Sequence, residues 1–329
     1  MKKIVVTGGC GFIGSQIIKF LLKKKYKILV LDKLSYASNL SLFKLKKKYL
    51  HFKKIDISNE DKLIRILKKF QPDFIINCAA ETHVDRSIND PDRFIKSNII
   101  GTYNILEYLK KNIKCRLVHV STDEVFGSLK LNNLKFNENS KYNPMSPYSA
   151  SKAASDHLVR AYGNTYNIDY IITNCSNNYG PYQHPEKFIP TVINSCIKKK
   201  KIPIYGNGKN IREWIHVEDH SRAVILCMEK GKKQETYLIG SKNEYTNLEI
   251  ARKICLYFNK INKDKFNYFS LISFVKDRQG HDFRYAINYN KIIKNLKFKN
   301  KIRFSRGLSK TIDFYIQNKN KLNKIFKKV

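Results

Sequence analysis

Apolar and polar positions follow two rhythms through the first half of the chain. Short, nearly continuous apolar runs at residues 2–7, 27–31, 74–78, 116–121 and 169–173 predict buried strands, and a further strand precedes Asp56. Between them the apolar residues recur at helical spacing. Phe12, Ile13, Ile17, Phe20 and Leu21 mark a helix over residues 12–23, and others are predicted over 61–70, 94–110 and 147–166. Ser146 and Pro147 give the last of these a side-chain cap and a first-turn proline. Strands alternating with helices imply a parallel sheet covered on both faces. Past Asn178 the pattern loosens, and turns rich in Pro, Gly and Asn at 179–185 and 203–209 separate shorter elements.

The first strand runs into Thr7-Gly8-Gly9-Cys10-Gly11-Phe12-Ile13-Gly14 and then a helix. Gly8 permits the tight turn, Gly11 admits a pyrophosphate close to the backbone, and Gly14 lets helix and sheet pack closely. The helix start offers free N–H groups and a favourable dipole to phosphate. Asp32, ending the second strand, suits a ribose diol and repels a 2′-phosphate, so NAD is expected over NADP. Asp56 and Ile57 are placed to flank the adenine. The expected fold is α/β: a Rossmann-type, doubly wound parallel sheet with a smaller C-terminal α/β substrate-binding lobe. Residues 1–178 are expected to form the NAD-binding domain and 179–329 the lobe, with some later segments returning to the first domain.

Composition narrows the partners. The 63 basic and 27 acidic residues give a net charge of +36, which taken alone suggests a nucleic acid. The lysines are dispersed and not interleaved with aromatics in one stripe, and the chain is crowded with Lys, Ile, Asn, Tyr and Phe, whose codons are AT-rich. Codon bias is the expected cause, no nucleic-acid partner is expected, and the charge can still favour an anionic substrate. The seven cysteines are scattered without metal-ligand spacing, so reduced thiols and no metal site are expected. No apolar run is long enough to span a bilayer. The N-terminal apolar stretch is interrupted by Gly8, Gly9 and Gly11, with no cleavage site after it, which predicts a cytoplasmic protein.

The candidate chemistry sits in two nearby segments. Tyr148 and Lys152 are four residues apart on a predicted helix and share a face. A phenol titrates near about 10, so a neutral-pH base needs a drop of roughly three units, about 4 kcal/mol. The expected sources are the Lys152 ammonium and a positive nicotinamide ring. Shortly before them stand Thr122, Asp123 and Glu124. Once a sugar C4 becomes a ketone, the neighbouring C5–H is acidic enough for a carboxylate base, and loss of the C6 hydroxyl needs a proton donor. Two carboxylates with separated pKa values can divide those tasks.

The chain resembles the dTDP-glucose 4,6-dehydratases of the extended short-chain dehydrogenase/reductase superfamily. The resemblance runs from Lys3 to about Asn318. It is carried by the glycine segment through Ser15, Ala79-Ala-Glu-Thr-His-Val-Asp-Arg-Ser87, Ser121-Thr-Asp-Glu-Val-Phe-Gly127, Pro147-Tyr-Ser-Ala-Ser-Lys152, Asn174-Cys-Ser-Asn-Asn-Tyr-Gly-Pro181, Val217-Glu-Asp-His220 and Asp277-Arg-Gln-Gly-His-Asp282. The triplet Thr122-Asp123-Glu124 separates it from the related epimerases and decarboxylases.

The resemblance implies that Tyr148 takes the O4 proton as the C4 hydride goes to NAD. Glu124 then removes the C5 proton, Asp123 protonates the departing C6 hydroxyl, and the hydride returns to C6. It implies cofactor contacts at Phe12, Ile13, Asp32, Lys33, Leu34, Ser35, Asp56, Ile57, Ala79, Ala80, Ser97, Lys152 and Asn178. Substrate contacts are implied at Thr82, Thr122, Asn177, Lys187, Phe188, Pro203, Ile204, Tyr205, Arg212, Asn247, Asp277, Arg278, Gln279, Gly280 and His281. It also implies a homodimer through the helices at 94–110 and 147–166. The chain departs from the family pattern at Cys10, where alanine is common, at Phe126, where tyrosine is common, and at Gln279, where proline is frequent. The nearest alternatives are a UDP- or GDP-linked dehydratase or a 4-epimerase.

Overall fold

The computed structural model describes residues 1–39, 41, 47–262, 265–277 and 280–326. Twelve strands are present among them: β1 (Lys3–Thr7), β2 (Lys27–Asp32), β3 (Leu50–Lys54), β4 (Phe74–Asn77), β5 (Arg116–Thr122), β6 (Tyr170–Cys175), β7 (Asn177–Tyr179), β8 (Ile202–Tyr205), β9 (Ile211–His216), β10 (Glu235–Ile239), β11 (Glu244–Thr246) and β12 (Ile272–Val275). Seven form one sheet in the order β10-β6-β5-β4-β1-β2-β3, and every pairing in it is parallel. The connection reverses direction between β1 and β4, the switch point where open α/β sheets bind ligands beyond their strand ends.

The sheet is covered on both faces, as alternation within β1 requires. Ile4 and Val6 pack toward helices Phe12–Leu21 and Val217–Lys230, while Val5 packs toward Glu60–Phe70, Gly101–Lys110 and Pro147–Tyr166. A separate core joins β8 and β9 to helices Phe188–Ile197, Asn247–Ile261 and Phe304–Asn318, through residues such as Ile193, Ile254 and Ile312.

The expected strands are present to within two residues at their ends, and helix Pro147–Tyr166 matches its expected bounds. Ser146 accepts from Ser149 N–H, and the Ser149 hydroxyl accepts from Ser146 N–H, closing a capping box. The expected helix over 94–110 differs. It runs α-helical over Asp92–Phe94, π-helical over Ile95–Ile100 and α-helical again over Gly101–Lys110. The wider turn buries the neighbouring residues Ser97 and Asn98 together. The later part is more regular than its loose pattern suggests: Val217–Lys230 returns to pack on Phe12–Leu21, and Glu235–Ile239 becomes the outermost sheet strand beside β6. No helix among the described residues is long and apolar enough to cross a membrane.

Candidate active site

Gly8 takes φ +62°, and a Cβ there would lie 2.6 Å from Ala79 Cα and N. A Cβ on Gly14 would lie 2.4 Å from the Gly8 carbonyl oxygen. These two glycines are required by backbone packing, since neither neighbour is a flexible side-chain end. Gly11 is different: its φ is −73°, and a Cβ would meet only Gly8 O at 3.1 Å. Its freedom is spent on the open side. No side chain caps helix Phe12–Leu21, so its first amides stay available to an anion. Asp32 Oδ2 accepts from Cys10 N–H at 2.9 Å and Oδ1 from Leu34 N–H at 2.7 Å. Burial raises the Asp32 pKa, and those two N–H bonds oppose it. Cys10 fits the turn, fully buried.

One cleft runs over this turn to the carboxylates. It is lined by Gly8, Gly11, Phe12, Ile13, Gly14, Asp32, Lys33, Ser35, Asp56, Ile57, Ala79, Ala80, Ser97 and Asn178, and further along by Thr82, Thr122, Asp123, Glu124, Tyr148, Lys152, Asn177 and Lys187. Leu34 does not line it and acts through its N–H on Asp32. Lys33 pairs with Glu81 at 2.8 Å and Asp56 at 3.8 Å, and Asp56 also accepts from the Ser58 N–H and hydroxyl. A glycine cradle, an uncapped helix start and a buried carboxylate at the second strand end fit a dinucleotide.

The acids are presented by a short 3-10 turn, Asp123–Phe126, that follows β5 directly. Thr122 caps the turn, accepting from Glu124 N–H at 3.3 Å. Asp123 is 1% exposed and Oδ2 has no hydrogen-bond partner among the described residues. Burial, then the Glu124 and Glu213 carboxylates, hold its pKa well above the ordinary carboxylate range, with Arg212 and Thr122 opposing. Asp123 thus keeps its proton where an ordinary aspartate has lost it. Phe126, lacking a hydroxyl, packs between the rings of Phe136 and Tyr142 at 5.2 and 5.1 Å.

Tyr148 departs from the expected electrostatics. Burial and then the Glu124 carboxylate push it well above the ordinary phenol value, and a Thr122 hydrogen bond is the group that opposes them. Lys152 points its ammonium to the Val120 carbonyl at 2.9 Å, with His119 Nε2 at 3.4 Å. The protein's own groups therefore favour Tyr148 as a phenol over a phenolate.

The substrate candidates divide. Lys187 donates to the Thr82 carbonyl at 2.8 Å and lies 3.4 Å from its hydroxyl. Phe188, Pro203, Ile204, Tyr205, Arg212, Asn247, Asp277, Gly280 and His281 do not line the cleft that holds the carboxylates. Some of them cluster elsewhere: His281 bonds Asp277 at 2.7 Å and meets the Tyr205 ring edge-on at 6.1 Å. Ile204 is buried in the second core, on the strand face opposite Pro203 and Tyr205. Phe188 stacks on Trp214, and Asn247 N–H donates to the Asn210 carbonyl at 3.0 Å. The Arg212 guanidinium donates to the Ile211 and Asp282 carbonyls at 2.8 and 2.9 Å and covers the Tyr285 ring at 4.4 Å. Arg278 and Gln279 lie outside the described residues.

Sequence reasoning missed the strap across the cleft: Tyr36 donates to Glu186 at 2.7 Å, and Arg86 reaches the same carboxylate at 3.1 Å while covering the Tyr36 ring at 3.8 Å. These residues come from two turns and the short helix Val84–Asn89, and no spacing in the sequence links them. No group of three or more His, Cys, Asp or Glu suited to a metal occurs among the described residues.

A family model described as GDP-mannose 4,6 dehydratase matches residues 5–311. A dTDP-glucose 4,6-dehydratase of Haemophilus influenzae is 44% identical over 335 residues, covering 97% of this chain and 99% of that protein. The chain belongs to the dTDP-glucose 4,6-dehydratase family. A probable member from Sinorhizobium fredii is 43% identical, covering 96% of this chain and 93% of its own. Among solved members, the Streptomyces venezuelae enzyme DesIV, with NAD bound, superposes with TM-score 0.90 at 40% identity over 97% of this chain and 98% of its own. The Bacillus anthracis member, in complex with NAD, gives 0.88 at 40% identity over 99% and 100%.

Proposed function

We propose that the protein converts dTDP-glucose to dTDP-4-keto-6-deoxy-glucose and water, as a cytoplasmic NAD-dependent hydro-lyase of deoxysugar biosynthesis. The observation that carries this reading is the placement of Asp123, Glu124, Tyr148 and Lys152 on one cleft, with Asp123 buried and its pKa raised. A 4-epimerase has no water to expel and no task for that proton. The names of the most similar relatives support the dTDP-linked form over UDP- and GDP-linked ones.

Gly8, Gly11 and Gly14 would cradle the pyrophosphate of NAD, Asp32 would take the ribose diol, and Lys33, Ser35, Asp56, Ile57, Ala79, Ala80, Ser97 and Asn178 would complete the site, with Leu34 acting through Asp32. NAD, when bound there, would supply the hydride acceptor that oxidation at C4 needs and the hydride that C6 gains. Tyr148 takes the O4 proton, steadied by Thr122 and by the charge of Lys152. Glu124 removes the C5 proton, made acidic by the C4 ketone. Asp123 gives its proton to the departing C6 hydroxyl. Thr82, Asn177 and Lys187 hold the sugar side. Arg212, Arg278 and His281, with their neighbours at 188, 203–205, 247 and 277, serve the nucleotide diphosphate, with Arg212 acting as a fixed positive charge.

The working form is a homodimer. Ile95, Ile100 and Tyr103 expose 37–48% of their surface on one candidate helix, and Tyr166 exposes 37% on the other. The seven cysteines are free, which suits a reducing compartment. The test is incubation of the pure protein with dTDP-, UDP- and GDP-glucose. Loss of one water from the dTDP sugar alone is expected; water loss only from another nucleotide sugar, or inversion at C4, overturns the reading.

A further inference from the structure

The proposed mechanism leaves four buried polar residues without a task. Thr7, Asn77, His119 and Asp156 are each no more than 1% exposed, and none lines the cleft. They form one chain of contacts ending at Lys152, and its hydrogen-bond directions can be fixed from both ends. The Thr102 hydroxyl gives its proton to the Asn98 carbonyl at 2.7 Å, so it can only accept from Asn77 Nδ2 at 3.2 Å. At the other end, Thr7 Oγ1 accepts from Ala79 N–H at 3.3 Å and gives its own proton to Asn77 Oδ1 at 2.5 Å. The amide of Asn77 is thereby oriented, and its Nδ2 meets His119 Nδ1 at 3.2 Å.

A nitrogen that receives an N–H must be bare. His119 therefore carries its proton on Nε2. That N–H lies 3.3 Å from Asp156 Oδ1, an ion-pair distance, and Oδ1 makes no hydrogen bond of good geometry among the described residues. The second oxygen of Asp156 is saturated by the Ser121 hydroxyl at 2.9 Å, the Tyr142 hydroxyl at 2.8 Å and Asn174 Nδ2 at 3.1 Å. Lys152 cannot donate to a protonated Nε2, so its 3.4 Å approach to His119 is a contact and not a bond. Its one acceptor among the described residues is then the Val120 carbonyl, and the remaining N–H groups are left for the cleft that Lys152 lines.

The charges agree with this arrangement. Burial alone would raise Asp156, but His119, then Lys152 and Arg160, outweigh it and hold the carboxylate below its ordinary range. Burial lowers Lys152, and Asp156 is the first group that opposes it. The other titratable groups facing the ammonium are the Cys78 and Cys175 thiols, both pushed up by burial and so neutral. His119 itself is lowered to about 4 by burial and by Lys152.

We propose that His119 and Asp156 are positioning residues for Lys152: a neutral imidazole, fixed as its Nε2–H tautomer by Asn77, joins the buried carboxylate to the ammonium and turns the charge toward the cleft. This rests on the assignment of Lys152 to the dehydratase site. The test is the pH profile of kcat for wild type, D156N, H119F and H119Q, beside the tautomer of His119 in 15N-histidine-labelled wild type. In D156N the alkaline limb should move to lower pH by about one to three units, the size of a lost opposite charge nearby, and in H119F, which keeps that charge but breaks its link to Lys152, it should move the same way by less. H119Q, whose amide N–H can replace Nε2–H, should restore it. Limbs that stay in place in both variants overturn the proposal. If D156N does not fold, the wild-type tautomer still decides: a protonated Nε2 with a bare Nδ1 supports the proposal, and a protonated Nδ1 overturns it. Loss of turnover in K152A tests the site assignment separately. Turnover that K152A abolishes but D156N and H119F leave unshifted defeats the positioning role alone, whereas full turnover in K152A defeats the assignment.

Discussion

Two glycines of one turn should fail in different ways when each becomes alanine. At Gly8 the new Cβ would sit 2.6 Å from Ala79 backbone atoms, and the residue would be held at φ +62°. The left-handed conformation costs about 1–2 kcal/mol and the forced repacking about 1–3 kcal/mol, so Gly8→Ala should lose about 2–5 kcal/mol. That is a large share of the roughly 5–15 kcal/mol that holds a folded protein together. At Gly11 the backbone is ordinary and the Cβ would meet only the Gly8 carbonyl oxygen at 3.1 Å. Gly11→Ala should therefore keep its stability to within about 1 kcal/mol. Its methyl group nonetheless projects where the pyrophosphate must approach, so NAD affinity should fall at least about tenfold, about 1.4 kcal/mol. Urea unfolding of both variants and calorimetric titration of NAD into stripped protein read the two effects. Wild-type NAD affinity in Gly11→Ala, or wild-type stability in Gly8→Ala, would refute the division of roles.

Asp123→Asn should slow water loss by about 10²–10⁴-fold while sparing C4 oxidation; single-turnover kinetics showing equal loss in both steps would remove its role as the acid. Because burial raises the pKa of Asp123, wild-type elimination should survive above the ordinary carboxylate range and fall only as pH rises through that raised value; a rate that falls already near about pH 4 contradicts this. Ser146→Ala breaks the capping box ahead of Tyr148 and should cost about 1 kcal/mol in thermal unfolding, with a lower kcat from a frayed first turn. Ile100→Glu should shift the dimer toward monomer in sedimentation, since the exposed Ile100 is placed on the proposed interface.

Much of the architecture was legible because burial writes itself into periodicity. The β1 run Ile4-Val5-Val6 is apolar on both faces because both faces of the sheet are covered. Ser146-Pro147 announced its helix by local chemistry alone. The π-helical stretch at Ile95–Ile100 was not legible, since it inserts extra backbone without changing the apolar count. Helix Phe304–Asn318 carries buried Phe304, Leu308, Ile312 and Tyr315 at helical spacing, a signal hidden among the surrounding lysines and asparagines. At the site, the glycine turn and Thr122-Asp123-Glu124 line one cleft, because each motif sits at a strand end on the same edge of the sheet. The state of Tyr148 was not legible, because it depends on Glu124 beside it and on where Lys152 points, and spacing fixes neither. The Tyr36–Glu186–Arg86 strap was likewise invisible, since it depends on two turns and a short helix, distant in sequence, meeting in space.

Glu124→Gln should fold and bind NAD yet lose exchange of the C5 proton with solvent, and undiminished exchange would remove Glu124 as the base. The most direct test of the central claim uses wild-type protein and dTDP-glucose labelled with deuterium at C4. The account predicts a 4-keto-6-deoxy product that carries the label at C6, with a solvent-derived hydrogen at C5. Label lost to solvent, or returned to C4 with the C6 hydroxyl intact, would contradict it.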